Sequence, residues 1–483
     1  MDWLSITLSI SFFVTLIFLF SHFNPNIPNN KKNPKLPPGP PSFPILSRLF
    51  WLRMSPLDTE KMLRRLRLKY GPIVAIPVDS RPFIFITDRA LAYKFLVNHA
   101  SVSSDRPIST AHYGPLWRLL RRNLTSEVLN PSRVRSYGGA RKWALGILVE
   151  DLKNQAASSR GDGVCVAIDS IFYAMFCLLA LMCFGEGLGE AEIREIEKVE
   201  RELLLFTKKL RVFGFMPRLT KLIFNKRWEK LMEMRRRQEE VLLPLIRARK
   251  TYVDSLLELT MPEEGGRDLS EGEMVSLCME FLNSGTETTS TALQWIMANV
   301  VKYQHVQEKI LEEVRSVVGG EAEEVEEEDL QRMPYVKAVV LEGLRRHPPL
   351  HFLLPNAVSE EVCVDEYVIP KNATVNVTVA EMGRDGKVWE EPMEFKPERF
   401  LNGGDEVDIT GGGEIKMMPF GVGRRICPGT GLALLHLEYF VANLVREFEW
   451  KAVEGEEIDF SEKSEFTVIM KHPLKAKIVP RAQ

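Results

Sequence analysis

The residues with the clearest chemical potential lie in the stretch Pro419–Gly429, which reads PFGVGRRICPG. Gly421 and Gly423 precede its cysteine, Cys427, and let the backbone pass close to a flat group where side chains would clash. Such a cysteine can serve as a metal ligand, because the thiolate is the form of cysteine that binds metals. The alternative is a buried cysteine in a glycine-rich turn that serves only packing.

The neighbours of Cys427 favour the thiolate over the thiol. Arg424 and Arg425 place two positive charges next to the cysteine in the sequence, and positive charge stabilises the anion. Pro428 can open a helix, which the apolar run Leu432–Val445 predicts. The N-terminus of that helix would face the sulfur, and the helix dipole would stabilise its negative charge.

This stretch resembles the cysteine loop of the cytochrome P450 superfamily. The matching residues are Phe420, Gly423, Arg425, Cys427 and Gly429. The resemblance implies haem b as the cofactor, with Cys427 as the axial ligand of the iron. It also implies that four further residues lie against the haem, namely Phe420, Gly421, Arg425 and Gly429. A thiolate ligand pushes electron density onto the iron, which favours cleavage of the O–O bond.

A long helix is predicted to begin near Ser270, because Ser270 and Glu273 have the spacing of a capping box. Its middle contains Gly285 followed by the polar run Thr286–Thr289. A glycine inside a helix costs about 1 kcal/mol relative to alanine, and side-chain hydroxyls can replace backbone hydrogen bonds. The run therefore predicts a local opening that admits a small ligand and a water. A polar stripe on an ordinary helix is the alternative.

The same run resembles the oxygen-binding groove in the central helix of the cytochrome P450 family. The resemblance assigns Thr288 and Glu287 as catalytic residues that relay protons to oxygen. The family usually has alanine or glycine before the groove glycine, where this chain has Ser284. We expect the additional hydroxyl to alter the water network or to contact substrate.

In the stretch GPLWRLLRR, Trp117 and Arg121 are four residues apart and share a helix face. The family uses such a pair to bond the haem propionates, and a guanidinium suits a carboxylate. A solvated basic face is the alternative interpretation. Arg122 points elsewhere and suits a surface patch. Asn356 stands where relatives often carry arginine or histidine toward a propionate, so it is not assigned to the site.

In the stretch LEGLRRHPP, Glu342 and Arg345 are three residues apart on one helix face, where an ion pair can form. This spacing alone usually marks a solvated face. The stretch FKPERF, which contains Arg399, lies between this helix and Cys427. The order resembles the ion-pair triad of the family. It implies that Arg399 locks the pair and that the triad supports the haem side structurally, without a catalytic role.

The composition narrows the class of protein. The 483 residues include 63 Lys and Arg against 65 Asp and Glu, a balance that gives no indication of nucleic-acid binding. Six irregularly spaced cysteines, three of them in apolar helical sequence, predict free buried thiols, and their spacing shows no zinc motif. No GxGxxG follows a predicted strand, so the chain has no predicted flavin or nucleotide domain of its own.

The N-terminal segment is predicted to be a membrane anchor. Trp3–Phe20 carries no charge, and a helix of that length rises about 27 Å, close to the hydrocarbon thickness. A cleaved signal peptide is the alternative, but Asp2 stands where a basic region would be needed. Lys31, Lys32 and Lys35 follow the span and place the remaining chain in the cytosol. The predicted division is an anchor at 1–23, a basic and proline-rich hinge at 24–41 and a haem-thiolate monooxygenase domain at 42–483.

Inside the domain, Ile73–Ile76 and Phe83–Ile86 have the pattern of short strands. Residues 115–347 are mostly helical in pattern, and strands return in VCVDEYVIP and ATVNVTVA. The sequence therefore predicts a mainly α fold of the α+β class, rich in helices with small β-sheets. The resemblance implies the cytochrome P450 fold behind one N-terminal transmembrane helix.

The resemblance, strongest to the plant microsomal A-type group, implies a monooxygenase that inserts one atom of O2 into a small lipophilic substrate. Its electrons would come from NADPH through a separate NADPH–cytochrome P450 reductase, which docks near Arg121, Arg122 and Arg424. The protein would lie on the endoplasmic reticulum membrane with its domain in the cytosol. The implied pocket walls are Ser104–Leu116, Leu203–Met216, Phe281, Ser284, Leu350–Leu354 and Glu465–Ile469.

Two alternatives of other classes stay open. A haem-thiolate isomerase or dehydratase would act without O2, and the intact Thr288 argues against it. A non-enzymatic haem-based sensor or carrier is disfavoured by the apolar segments on the substrate side.

Overall fold

The structure is a computed structural model that describes residues 35–41, 53–77, 82–104, 113–158, 162–214, 217–248, 252–261, 265–319, 324–401 and 407–481. The predicted anchor at 1–23 and residues 24–34 of the predicted hinge lie outside these ranges. Residues 105–112 and 215–216, which belong to two predicted pocket walls, also lie outside them.

The described residues are mostly helical, as the sequence pattern predicts. The helices before the long central helix are α1 Pro56–Tyr70, α2 Arg89–Tyr93, α3 Ala100–Ser103, α4 Pro115–Glu127, α5 Pro131–Ser136, α6 Gly138–Ser158, α7 Ala167–Phe184, α8 Glu190–Leu210, α9 Pro217–Ile223, α10 Asn225–Ala248 and α11 Tyr252–Leu257. The remaining helices are α12 Glu271–Lys302, α13 Gln304–Val318, α14 Pro334–Arg346, α15 Ala380–Gly383 and α16 Thr430–Glu447.

The strands are short and form small sheets. They are β1 Ile73–Pro77, β2 Pro82–Ile86, β3 Val164–Val166, β4 Thr260–Met261, β5 Arg267–Asp268, β6 Asn356–Ala357, β7 Val362–Val364, β8 Tyr367–Ile369, β9 Thr374–Val377, β10 Phe448–Ala452, β11 Glu462–Ser464, β12 Val468–Met470 and β13 Lys475–Pro480. The largest sheet has the order β1-β2-β9-β6, and β2 and β9 pair in parallel with Phe83 opposite Thr374. The predicted helix-rich α+β fold with small sheets is confirmed.

The main core forms around α7 and α12, which pack along each other. α7 is apolar and long enough to cross a membrane by length and composition. Most of α7, 78%, is nevertheless buried inside the domain. Burial on every side explains the lack of a polar face, because a helix enclosed by other helices needs no solvated stripe.

The described part of the proline-rich segment lies against the sheet. The carbonyl of Pro38 accepts a 2.9 Å hydrogen bond from the backbone N–H of Ala75 in β1, and the carbonyl of Lys35 accepts one of 3.0 Å from Val368 in β8. A Cβ atom at Gly39 would lie 1.7 Å from the carbonyl oxygen of Ala75. A glycine is therefore required at position 39, and residues 35–41 are held by the domain.

The six cysteines are free thiols, in agreement with the prediction. The predicted burial is wrong for Cys363, which is exposed in β7. β7 and β8 form a two-stranded hairpin, so one face of β7 is open to solvent.

Candidate functional site

The cysteine loop folds back on itself before α16. The backbone N–H of Gly421 donates to the carbonyl of Met418 at 3.0 Å, and that of Cys427 donates to the carbonyl of Phe420 at 2.9 Å. Gly421 and Gly423 have φ angles of 72° and 74°, in the region that favours glycine. The loop thus presents the half-buried Cys427 next to Phe420.

Gly423 has a second reason to be glycine. A Cβ atom there would lie 2.4 Å from the carbonyl oxygen of Leu96, in the π-helical turn Lys94–Asn98 that follows α2. At Gly421 the corresponding atom would lie 3.4 Å from Cδ2 of Leu353. The loop is therefore enclosed by two distant segments of the chain.

The helix after the cysteine begins later than predicted. α16 starts at Thr430 with Gly429 as its N-terminal cap, so Pro428 lies in the preceding turn and does not open the helix. The Thr430 hydroxyl donates to the carbonyl of Cys427 at 3.0 Å. A turn of this kind suits Cys427 because it leaves the sulfur ahead of the helix N-terminus.

Arg121 of α4 supplies positive charge to the sulfur. Burial lowers the pKa of the Arg121 guanidinium, and the negative charge of the Cys427 thiolate opposes this shift. The predicted role of Arg424 beside the thiolate is not supported, because Arg424 is exposed and donates to the hydroxyl of Tyr113 at 2.8 Å. One charge that acts on the sulfur thus comes from a helix some three hundred residues earlier in the chain.

Trp117, Arg121 and Arg425 lie together, as a haem-propionate site would require. The guanidinium of Arg425 stacks over the Trp117 ring at 4.4 Å, and that of Arg121 lies 6.0 Å from the same ring. The Arg425 Nε donates to the carbonyl of Ser104 at 2.7 Å. Tyr113, which the sequence did not single out, packs against Trp117 at 5.1 Å between ring centroids.

The central helix α12 begins as predicted. The hydroxyl of Ser270 accepts from the backbone N–H of Glu273, and the Glu273 carboxylate accepts from that of Ser270, so both halves of the capping box are present. Farther along, the Thr288 hydroxyl donates to the carbonyl of Ser284 at 2.6 Å. A side-chain donor at this carbonyl competes with the helical N–H bond, although α12 remains helical throughout.

Gly285 is explained by packing. A Cβ atom at Gly285 would lie 2.6 Å from Cδ1 of Leu179 on α7, so the glycine permits close approach of the two core helices. Ser284, one residue earlier, is exposed although Asn283 and Thr286 beside it are buried. The Ser284 side chain therefore faces an open space on one side of α12.

Burial raises the pKa of Glu287 to about 7, with Glu465 adding to the shift and Arg201 opposing it. A carboxyl group with this pKa holds a proton that it can release near neutral pH. The Thr291 hydroxyl, one turn beyond Thr288, lies 2.8 Å from the hydroxyl of Thr467. The turn between β11 and β12 therefore reaches the polar part of α12.

A second buried carboxylate, not identified from the sequence, lies beside this part of α12. Glu200 on α8 is 1% exposed and accepts hydrogen bonds from Nε2 of Gln238 at 2.7 Å and from Nδ2 of Asn283 at 2.9 Å. Burial raises its pKa, and the two amide donors oppose the shift. Glu200 thus joins α8 and α10 to α12, one turn before Glu287.

The ion pair of α14 is fully buried. Arg345 donates to Glu342 through Nε at 2.6 Å and through Nη2 at 2.8 Å, a bidentate arrangement. The Arg399 Nε lies 3.3 Å from Oε1 of Glu342. The remaining Arg345 donor, Nη1, bonds the carbonyls of Gly383 at 2.5 Å and Pro392 at 2.9 Å. The group ties α14 to the segment that precedes the cysteine loop.

The residues present fit a haem. The glycine turn, the half-buried cysteine and the stacked arginines form a cradle in which a flat dianionic group would find both a sulfur ligand and cations. Asn356 is 2% exposed, and its Nδ2 donor has no acceptor in the described part of the chain. Leu354 and Phe466, on two predicted pocket walls, are 40% and 45% exposed.

The comparisons with known proteins agree with this geometry. Residues 37–480 match the family model of the cytochrome P450. The chain is 48% identical to Cytochrome P450 89A9 of Arabidopsis thaliana, over 98% of this chain and 97% of that protein. It is 29% identical to a geraniol 8-hydroxylase of Catharanthus roseus, over 99% of each. A solved zebra fish cytochrome P450 with progesterone has a TM-score of 0.73 at 20% identity and covers 88% of this chain and 99% of its own, which shows the shared fold.

Proposed function

Because this chain belongs to the cytochrome P450 family and is a haem-thiolate monooxygenase, we propose that it inserts one atom of O2 into a small lipophilic molecule with electrons from a separate NADPH–cytochrome P450 reductase. The observation that carries this proposal is that Glu287, whose carboxyl has a raised pKa, immediately precedes Thr288 on α12. Reduction of O2 to water consumes protons, and a half-buried carboxyl with a pKa of about 7 can supply them.

When bound, haem supplies the binding and reductive activation of O2, which amino-acid side chains cannot perform. In this proposal Cys427 would ligate the iron through Sγ. Trp117, Arg121 and Arg425 would hold the propionates, and the Nδ2 donor of Asn356 would add a neutral hydrogen bond where relatives often place a cation. The bidentate Glu342–Arg345 pair holds the backbone before the cysteine loop.

The proton route proposed here uses two residues. Glu287 releases its proton, and the Thr288 hydroxyl, which already donates to the Ser284 carbonyl, positions the water that carries it. Burial raises the pKa of Glu287 to about 7, against the opposing charge of Arg201 and with a smaller contribution from Glu465, so the carboxyl can donate its proton near neutral pH. The exposed Ser284 hydroxyl lies at the edge of the proposed substrate space beside α12.

The proposed substrate is small or medium-sized and lipophilic. Leu354 and Phe466, on two predicted pocket walls, expose apolar surface, and apolar walls with few polar groups select lipophilic ligands. Relatives named for geraniol 8-hydroxylation and flavonoid 3'-oxidation act on molecules of this size. The polar group that would orient the substrate in this chain is the exposed hydroxyl of Ser284.

The proposed reductase surface lies on α4. A groove of about 520 Å³ runs along it, lined by Trp117, Arg118, Arg121, Arg122, Thr125, Ser126 and Asn130. Arg118, Arg122 and Arg424 are exposed. Positive charge at this position would attract an acidic partner and increase its association rate. The contact would lie on the cysteine side of the haem, where Arg121 is also found.

The membrane attachment is proposed from the uncharged span at 3–20 and the lysines that follow it. We propose a single N-terminal span in the endoplasmic reticulum, with the monooxygenase domain in the cytosol. Residues 35–41, held against β1 and β8, would fix the orientation of the domain toward the membrane.

The test is reconstitution of the haem-loaded protein with purified reductase. Metabolite fractions that shift the haem absorption band are incubated with NADPH and isotopically labelled O2, and the product is analysed for one labelled oxygen atom. A product that forms without NADPH, reductase or O2 would indicate the isomerase or dehydratase. A ligand that shifts the band but is never converted would favour the haem-based sensor.

A further inference from the structure

Glu200 belongs to a buried polar group that joins three helices, and the proposed mechanism gives this group no role. Oε1 of Glu200 accepts from Nε2 of Gln238 on α10 at 2.7 Å, and Oε2 accepts from Nδ2 of Asn283 on α12 at 2.9 Å. Oε1 of Gln238 in turn accepts from Nη1 of Arg235 at 3.1 Å. Each carboxyl oxygen of Glu200 is thereby matched to a donor on a different helix. We call Glu200, Gln238 and Asn283 the three-helix node.

All three side chains of the node are buried. A buried polar group without a partner is costly, so the hydrogen bonds within the node must replace those that the side chains would make with water. Three apolar side chains at these positions would be less costly to bury. The polar node therefore points to a role in fixing how α8, α10 and α12 are arranged, in addition to filling space between them.

The node lies where the contact of α8 with the main core ends. Ile193 and Ile196 of α8 belong to the main core around α7 and α12. Leu203 and Leu204, three and four residues beyond Glu200, are buried but lie outside that core. Glu200 therefore attaches α8 to α12 between the part of α8 that core packing holds and the part that begins the predicted pocket wall at 203–216.

On α12 the node lies next to the proposed substrate space. Asn283 directly precedes the exposed Ser284 at the edge of that space, and Glu287 follows Asn283 by one turn. The helices α8, α10 and α12 also pack against one another in pairs. A change in the hydrogen bonds of Asn283 would therefore alter the separation between Ser284 and the wall that begins at Leu203.

We propose that Glu200 is a positioning residue that holds α8 and α10 at a fixed distance from α12, and that it thereby sets the width of the substrate space beside Ser284. With both hydrogen bonds in place, a ligand that fills this space meets a preformed pocket. Without them the helices can shift, and ordering them costs part of the binding free energy. The inference rests on the proposed function only in taking the space beside α12 as the substrate pocket.

The experiment measures binding of two iron-ligating probes to the full-length haem-loaded protein, from the shift of the haem absorption band. Imidazole reaches little beyond the iron, whereas 4-phenylimidazole carries a phenyl ring that must enter the proposed substrate space. In Glu200→Gln the new amide can accept from Gln238, but it then turns its own N–H groups toward the donor of Asn283. We expect about tenfold weaker binding of 4-phenylimidazole, the size of a buried coupling energy, and unchanged binding of imidazole.

Glu202→Gln is the matched control. Glu202 also joins α8 to α10, since its Oε2 lies 3.8 Å from Nη1 of Arg237, but the two side chains are 50% and 45% exposed. An exposed ion pair contributes little, so both probes should bind to this variant as they bind to wild type. Equal weakening in Glu202→Gln and Glu200→Gln would overturn the proposal, because any loss of charge on α8 would then have the same effect.

An exchange of the two partners separates positioning from packing. Asn283→Asp alone opposes two carboxyl groups and should also weaken binding of 4-phenylimidazole. In Glu200→Gln/Asn283→Asp the amide at position 200 accepts from Gln238 and donates to the carboxylate at position 283, so the node is complete again. The double variant should recover most of the affinity. No recovery, or an equal loss for both probes in the single variants, overturns the proposal.

Asn283→Leu covers the case in which the Glu200 variants do not fold, because Glu200 keeps its hydrogen bond from Gln238 in this protein. It should weaken 4-phenylimidazole and leave imidazole unchanged, and wild-type affinity for both probes contradicts the proposal. Neither probe requires NADPH, reductase or O2. A protein that binds both probes as expected but forms no product would refute the proposed electron supply and leave the role of Glu200 intact.

Discussion

The Thr288 hydroxyl donates a 2.6 Å hydrogen bond to the carbonyl of Ser284, one turn earlier on α12. The bond fixes the orientation of the hydroxyl and leaves its oxygen lone pairs free to accept from a water. Glu287, whose carboxyl has a raised pKa, immediately precedes this threonine in the sequence.

Thr288→Ala should uncouple oxygen consumption from product formation. Without the hydroxyl, the water that carries the proton is no longer held in position. Proton delivery then fails, and hydrogen peroxide is released in place of product. With reductase, the variant should consume NADPH at a rate similar to that of wild type. It should form at least about tenfold less product for each NADPH consumed.

The matched control for Thr288→Ala is Ser276→Ala. Ser276 lies on the same helix and donates the same type of bond, to the carbonyl of Gly272 at 2.8 Å, three turns away. The control should remain fully coupled. Full product yield in Thr288→Ala with no additional peroxide would contradict the assignment of Thr288 as a relay.

Glu287 should give the coupling a pH dependence. Because its pKa is about 7, the fraction of protonated carboxyl falls as pH rises through 7, and product per NADPH should fall with it, about tenfold per pH unit above the pKa. Glu287→Gln should be poorly coupled and insensitive to pH over the same range. A wild-type profile that stays flat from pH 6 to 9 would exclude Glu287 as the donor.

Glu287 should also give the stability of the folded protein a pH dependence. The pKa in the folded protein lies above the usual carboxyl value of 4.5, so the folded state binds more protons than the unfolded state between pH 4.5 and 7. Its contribution to the free energy of unfolding therefore decreases as pH rises through that window. Glu287→Gln should lose this dependence, which denaturant titrations at pH 5 and 8 would measure.

Cys427→Ala should lose the red-shifted absorption band of the reduced carbon monoxide complex, together with most of the haem. The thiolate is the source of that band, and no second cysteine lies in the described part of the cysteine loop. Cys363→Ala is the control, since Cys363 is exposed on β7. Retention of the band in Cys427→Ala would refute the ligand assignment.

Glu342→Gln should be strongly destabilising, by roughly 3–5 kcal/mol, because it leaves Arg345 charged and unpaired in the core. The haem content after purification should fall. The denaturant concentration at which half of the haem absorption band is lost should fall as well. Glu190→Gln provides the comparison, since the Arg194–Glu190 pair is 60% and 62% exposed and its loss should cost at most about 1 kcal/mol. Equal effects of the two substitutions would argue against the structural role of the triad.

Protease added to intact microsomes should digest the domain, because the topology proposed from Lys31, Lys32 and Lys35 places it in the cytosol. Microsomes opened with detergent serve as the reference digestion. Complete protection in intact microsomes, or glycans on Asn123, Asn372 or Asn376, would reverse the topology.

The sequence by itself determined the features that depend on near neighbours. The Ser270 capping box, the Glu342–Arg345 spacing and the reversing cysteine loop are set within a few residues. Local spacing fixes local geometry, because residues three or four apart on a helix share a face whatever surrounds them. The helix-rich class with small sheets follows from the same local patterns.

Only the tertiary structure decided which distant groups act on the site. Nothing in the spacing indicates that Arg121 reaches Cys427, that Leu179 requires Gly285 or that Thr467 reaches Thr291. Glu60 and His351 meet across 291 positions of the chain. Such contacts depend on how helices and sheets pack, and packing is a property of the whole core that no single stretch of sequence encodes.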